Sequence, residues 1–251
     1  MHAMAEVALI TGGARRIGRA IVEHLANAGY AVAIHYRTSQ AEAESLAAEV
    51  RNRGGRAITI AADLADPAAV DAMIPTAEAK LGPVTLLVNS ASSFLVDDIR
   101  NIDVPTWNRQ FSTNLRAPSV LSGAMANHLP GDREGCIVNI IDQRVWKPTP
   151  QYYSYTLTKS ALLTATITMA QALAPRIRVN AVGPGPTFPN PQDGDVLLAR
   201  EAAGSLLQRK VDAADIAGAV LYLARARSVT GQMIAVDNGQ HLAWRTPDIV
   251  T

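Results

Sequence analysis

A single cysteine, Cys136, leaves this 251-residue chain unable to form an internal disulfide, which fits a reducing compartment. Excess charge is missing as well. Lys and Arg number 23 against 22 for Asp and Glu, so no global field draws in nucleic acid or an anionic membrane, and any anion binding has to be local. Aromatic residues make up only 5% of the chain and no basic stripe accompanies them, which disfavours a nucleic-acid module. The five histidines, at positions 2, 24, 35, 128 and 241, lack ligand spacing; one cysteine builds no zinc cluster, so no metal is expected. No G-x-S-x-G elbow is present. No apolar run approaches the ~18 residues of a membrane span, and Met1–Glu6 shows no basic segment followed by an apolar one, so neither a membrane anchor nor a signal peptide is expected. A cytoplasmic protein acting on a small molecule is the expectation.

What the chain does have is alternation. Short apolar runs at Val7–Ile10, Ala31–Ile34, Ala57–Ala61, Leu86–Asn89, Cys136–Ile141, Arg178–Val182 and Met233–Val236 lack polar alternation, as strands buried on both faces of a parallel sheet do. Helical patterns lie between them, near Ile17–Ala28, Gln40–Arg53, Pro67–Lys80, Thr106–Ala126, Gln151–Leu173 and Asp212–Ala224. Gly29 and Gly54-Gly55 mark helix ends and Asp66-Pro67 a helix start. Strand–helix–strand repeats with right-handed crossovers predict a doubly wound α/β fold: a parallel sheet of about seven strands with helices on both faces. Ligands bind such sheets beyond the carboxyl ends of the strands. Residues 1–251 read as a single domain. Gly183–Gly194, with four prolines, predicts a loop, and the region around 183–210 reads as a lid ahead of a weakly defined helix.

The first strand runs into Thr11-Gly12-Gly13-Ala14-Arg15-Arg16-Ile17-Gly18. Glycines there permit a tight turn and let backbone N–H groups approach a pyrophosphate at the helix start. An ordinary glycine-rich loop is the bland alternative, weakened by the position directly after the first strand. An NAD enzyme usually carries an acid at the end of strand two. Here the stretch is His35-Tyr36-Arg37-Thr38-Ser39, with no acid before Glu42. Arg37 can pair with a 2′-phosphate and the two hydroxyls can donate to it, although a solvated surface arginine looks the same in sequence. NADPH is the expected cofactor. Asp63-Leu64, where the Asp63 carboxylate can accept from an adenine amino group, and Asn89-Ser90-Ala91-Ser92 follow strands three and four. Small polar residues there also cap turns.

Among the tyrosines at 152, 153 and 155, only Tyr155 has a base four positions on, Lys159. That spacing puts both on one helical face. An ammonium beside a shielded phenol can favour its ionised form, and Lys159 can also hold the nicotinamide ribose. Asp142 ends strand five, where chemistry is expected.

Together these residues resemble the short-chain dehydrogenase/reductase family over almost the whole chain. Thr11–Gly18, Asp63, Asn89–Ala91, Asn114, Tyr155/Lys159, Pro184-Gly185 and Thr230-Gly231…Val236-Asp237 fall in the family's order. The resemblance implies a Rossmann-type fold and a homotetramer. It implies Tyr155 as acid-base residue, Lys159 lowering its pKa and binding ribose, and Asn114 supporting a proton-relay water. Departures are informative: Arg16 replaces a glycine of the turn, Ser90 an asparagine, and Asp142 the family's serine. Arg16 and Asp142, with His35–Ser39 and Ala91-Ser92-Ser93-Phe94, look like the pteridine reductase branch. By that resemblance Phe94 stacks on a pterin, Arg16 and Ser92 touch pterin or cofactor phosphate, and Thr187 lies near the nicotinamide carboxamide. His241–Trp244 is expected to reach a neighbouring subunit.

A serine hydroxyl can donate to a substrate carbonyl, whereas an ionised carboxylate only accepts. Asp142 therefore suits a nitrogen heterocycle and C=N reduction better than a ketone. Two alternatives stay open: reduction of a ketone or quinone, and a cofactor-binding sensor or scaffold with little turnover.

Overall fold

The structure, a computed structural model, describes residues 6–190 and 194–244. Every strand marked by an apolar run forms: β1 Val7–Ile10, β2 Ala31–Tyr36, β3 Ala57–Ala61, β4 Val84–Asn89, β5 Gly135–Ile140, β6 Ile177–Pro184 and β7 Met233–Val236. All pair in parallel, in the order β3-β2-β1-β4-β5-β6-β7. The chain runs outward one way through β3 and resumes at β4 on the other side of β1. The carboxyl ends of β1 and β4 thus flank a topological switch point.

Helices cover both faces because each strand turns apolar side chains to both. On one side, α1 (Arg16–Asn27), α2 (Gln40–Asn52) and α9 (Ala213–Arg225) bury Ile21, Leu25, Leu46 and Val220 against Ile10, Ile34 and Val138. On the other, α3 (Pro67–Asp71), α4 (Met73–Leu81), α6 (Ala117–His128) and α7 (Tyr153–Leu173) bury Met73, Ile74, Leu121 and Met125 against Leu9, Leu87 and Val179. This is a single-domain Rossmann-like fold. No helix among the described residues is long and apolar enough to cross a membrane.

Two expected helices are broken, and proline explains both. Pro75 has no N–H for the Asp71 carbonyl, so the segment from Pro67 divides into α3 and α4 at Ala72. Pro118 likewise offers none to Asn114. Between α5 (Val104–Phe111) and α6 the helix widens into one π turn, Ser112–Arg116, a feature frequent at functional sites. Of the expected proline-rich loop, Gly183 and Pro184 belong to β6 and Gly194 opens α8 (Gly194–Ala203), while residues 191–193 lie outside the described residues.

Candidate active site

A cavity of about 780 Å³ opens at the switch point, beyond the carboxyl edge of the sheet. At one end lies the glycine turn. Gly12 takes a left-handed φ of 64°, and a Cβ there would stand 2.9 Å from the Ala91 Cα. A Cβ on Gly18 would meet the Gly12 carbonyl oxygen at 2.1 Å. Only glycine lets turn, β4 loop and α1 pack this closely. The α1 N-cap residue, Arg15, makes no side-chain bond to the first amides of the helix. Arg16, Ile17 and Gly18, which carry those amides, line the cavity, and a helix start of this kind suits a phosphate.

His35 braces this turn. The Gly12 N–H donates to its Nδ1 at 2.9 Å, the Gly13 N–H donates to its backbone carbonyl, and Nε2 lies 3.1 Å from the Ala62 carbonyl. With Nδ1 accepting, the ring proton sits on Nε2. Burial pulls the imidazole pKa down to about 4, against the opposing pull of the Ala62 carbonyl and Asp63. Around the turn Arg15, Arg37, Thr38 and Ser39 line a basic, hydroxyl-rich end of the cavity. Arg15 faces Glu42 at 3.7 Å. Arg16, which replaces the family's glycine, keeps the glycine-like backbone with φ 56°, and its guanidinium lies 5.3 Å from the Phe188 ring centre on the loop after β6.

At the other end stand the groups of chemical interest. Tyr155 is buried and its hydroxyl donates to Asp142 Oδ2 at 2.9 Å. The other Asp142 oxygen accepts the Arg144 N–H at 2.8 Å. Lys159, also buried, donates from Nζ to the Ile140 carbonyl at 2.9 Å and lies 5.7 Å from the Tyr155 ring centre. Burial first, then the charge and hydrogen bond of Asp142, push the Tyr155 phenol well above its usual pKa. Burial lowers Lys159 to about 8, partly offset by Asp142. The lowering of the phenol by Lys159 implied by the family resemblance is therefore absent from this geometry: the carboxylate, not the ammonium, touches the phenol. Such an arrangement keeps Tyr155 protonated at neutral pH and able to give a proton.

Phe94 stands on edge to Tyr155, with centres 4.5 Å apart and planes at 75°. One of its faces is stacked on Tyr152 at 4.2 Å and 13°, so a planar ligand has the other face. Arg144 lies 5.3 Å from the Tyr152 ring centre. Thr187, Phe188, Leu197, Leu198 and Glu201 close the cavity from the segment after β6.

Gly12, Arg15, Arg16, Ile17, Gly18, His35, Tyr36, Arg37, Thr38, Ser39, Leu64, Ser90, Ala91, Ser92, Phe94, Asp142, Tyr155, Lys159, Pro184, Gly185 and Thr187 all line this one cavity. Four expected residues do not, and each braces the wall from behind. Thr11 Oγ1 accepts the N–H groups of Ser90 and Ala91. Asn89 donates to Asn139, which donates to Thr166 of α7. Asp63 takes both contacts from Arg109 Nη1 at 2.8 Å. Asn114 accepts from the Ser93 N–H and donates to the Ser93 carbonyl and Thr158, tying the β4 loop to α7. The C-terminal turn packs on its own chain. His241 bonds Asp237 at 2.6 Å and its ring lies 4.9 Å from that of Trp146, while Lys147 donates to the Ala243 carbonyl. Sequence reasoning missed Arg109, Arg144 and Gln240 in the wall, which carry no motif; Tyr152 had a signal in its place one turn before the Tyr155 hydroxyl.

Comparison with known proteins agrees with this geometry. Residues 6–192 match the short chain dehydrogenase family, and the chain belongs to that family. A short-chain type dehydrogenase/reductase from Picea abies is 32% identical, over 93% of this chain and 92% of the relative. The 3-oxoacyl-[acyl-carrier-protein] reductase FabG of Staphylococcus aureus is also 32% identical, over 95% and 99%. Among solved structures, FolM alternative dihydrofolate reductase 1 from Brucella canis, complexed with NADP, is 48% identical with a TM-score of 0.95, covering 98% of each chain. A blue fluorescent protein from a metagenomic library, in complex with NADPH, is 37% identical with a TM-score of 0.87, covering 94% of this chain and 97% of the other.

Proposed function

We propose that the protein reduces a pterin-like C=N substrate of the dihydropteridine, dihydromonapterin or dihydrofolate class, with Tyr155 as proton donor. NADP(H) is the cofactor. Arg15, Arg37, Thr38 and Ser39 hold its 2′-phosphate, the open first turn of α1 holds its pyrophosphate, and Lys159 holds the nicotinamide ribose. When bound, NADPH supplies a hydride to the substrate carbon. Tyr155 gives its hydroxyl proton to the adjoining nitrogen, so the C=N bond becomes CH–NH, and the phenol recovers a proton from water. Asp142 accepts N–H groups of the heterocycle, and Phe94 packs against its plane.

One observation carries the reading: the group bonded to the Tyr155 hydroxyl is the Asp142 carboxylate, 2.9 Å away. A carboxylate there repels the alkoxide that grows as a ketone is reduced and suits a substrate presenting N–H groups. The likeness to the Brucella canis reductase supports the same choice. The Staphylococcus aureus relative favours a second reading, reduction of a 3-oxoacyl thioester. The proposal also takes the region around 183–210 as a lid, of which residues 191–193 lie outside the described residues, and places the protein in the cytoplasm as a homotetramer; exposed apolar side chains such as Ile167 and Tyr222 support the assembly.

The deciding experiment follows NADPH absorbance with dihydrobiopterin, dihydromonapterin, dihydrofolate, a 3-oxoacyl thioester and simple ketones. Turnover of a dihydropterin in preference to every ketone is expected. A thioester or ketone as preferred substrate overturns the reading, and tight NADPH binding without any turnover points to a sensor.

A further inference from the structure

One buried carboxylate near the site has no part in the chemistry above. Asp97 lies in the loop between β4 and α5, three residues after Phe94, and is 7% exposed. The helix that carries Tyr155 opens without a cap of its own. Its N-cap residue, Tyr152, has φ 55° and makes no side-chain bond to the first amides. Asp97 supplies both missing partners from a distant part of the chain. Its backbone carbonyl accepts the Tyr153 N–H at 3.3 Å, and its two carboxylate oxygens accept the Ser154 N–H at 3.1 and 3.2 Å. The positive end of a helix also favours a carboxylate in this position.

A second buried side chain closes the same junction. Gln110 of α5 donates to Ser154 Oγ at 2.6 Å, while its amide bonds the N–H and carbonyl of Leu95 at 3.3 and 3.4 Å. Ser154 adjoins Tyr155 and Leu95 adjoins Phe94. The aromatic wall and the proton donor are therefore joined through one residue on each side.

We propose that Asp97 is a positioning residue, which caps α7 from the Phe94 loop and thereby sets the separation between the substrate wall and the Tyr155 hydroxyl. The inference rests on Tyr155 being the proton donor. Lys159, a turn further along α7, is fixed separately by the Ile140 carbonyl, and the cofactor end is fixed by His35 and the glycine turn. Loss of Asp97 thus disturbs the acid and the substrate wall while sparing the cofactor end.

The test compares Asp97→Ala, Asp97→Asn and Asp97→Ser with Tyr155→Phe and the unaltered full chain. Misplacing a reacting group by ~1 Å costs on the order of 100-fold. Asp97→Ala is expected to lower kcat about 10- to 100-fold on that scale and to raise the substrate KM. NADPH Kd, read by fluorescence titration, is expected to move less than about threefold. Asp97→Asn, which keeps an acceptor for the Ser154 N–H, restores most of kcat. Asp97→Ser falls between, and serves where the alanine variant does not fold. Hydrogen exchange without substrate is expected to quicken at residues 94–97 and 153–156 in Asp97→Ala and not at the glycine turn. Unchanged exchange at those segments overturns the proposal, as does a fall in NADPH affinity matching the fall in kcat. If the unaltered enzyme ignores every dihydropterin, the substrate reading fails, while exchange and the kcat–Kd comparison on the preferred substrate still judge Asp97.

Discussion

Replacing Asp142 with asparagine removes a negative charge beside the proton donor and keeps an acceptor oxygen of the same shape. Tyr155 and Asp142 share a hydrogen bond of 2.9 Å. Charges about 4 Å apart interact by about 4 kcal/mol at an effective dielectric near 20. Asp142 is only half-buried, so solvent screens the pair to well below that figure. Burial, the larger cause of the raised phenol pKa, is untouched by the change. The sign is definite: a neighbouring anion opposes ionisation of the phenol, so the asparagine variant forms tyrosinate at lower pH. Ultraviolet titration of the cofactor-free enzyme, with Tyr155→Phe subtracted from each form, reads this without any substrate. Coincident titrations of Tyr155 in the two proteins refute the claim that Asp142 holds the proton on the phenol.

Three further outcomes are expected. Tyr155→Phe lowers kcat at least about 100-fold, the usual scale for a lost general acid, with NADPH Kd within a few fold; full turnover removes Tyr155 from the mechanism. Arg37→Asp weakens NADPH by roughly 10- to 100-fold, the worth of a charge-assisted phosphate contact, and improves NADH. An unchanged ratio of the two KM values shows that Arg37 does not read the 2′-phosphate. His35 makes stability depend on pH. Its pKa falls from 6.5 to about 4 on folding, so below pH 6.5 the unfolded chain takes a proton that the native chain refuses. That difference removes up to about 3 kcal/mol of stability as pH drops towards 4. Urea unfolding across this range shows a shallower decline in His35→Asn; parallel declines dismiss the histidine as the cause.

The strands were legible because burial on both faces leaves unbroken apolar runs, and all seven formed within a few residues of those runs. Helix interruptions at Ala72 and Ser112–Arg116 were less visible, although Pro75 and Pro118 mark them once the missing N–H is matched to its carbonyl four residues back. At the site, sequence placed polar residues at strand ends correctly but did not tell which faced a ligand. His35 and Thr11 look like cofactor contacts in sequence, yet their side chains are spent on neighbouring backbone; Asp63 is bound to Arg109, 46 positions away. Asp97 was illegible for a related reason. Its partners are amides 56 and 57 positions along the chain, and no local pattern announces a cap delivered from another loop.

The uncapped start of α1 ties durability to occupancy. A threonine or aspartate at that N-cap would complete the helix permanently; on the proposed placement of the pyrophosphate, a phosphate oxygen does so instead, and the dinucleotide is the last piece of the fold at this corner. Any ligand taken up by the native chain alone shifts the unfolding equilibrium with its concentration. NADPH is therefore expected to raise the unfolding midpoint of the chain as its concentration rises, which thermal unfolding with and without cofactor reads.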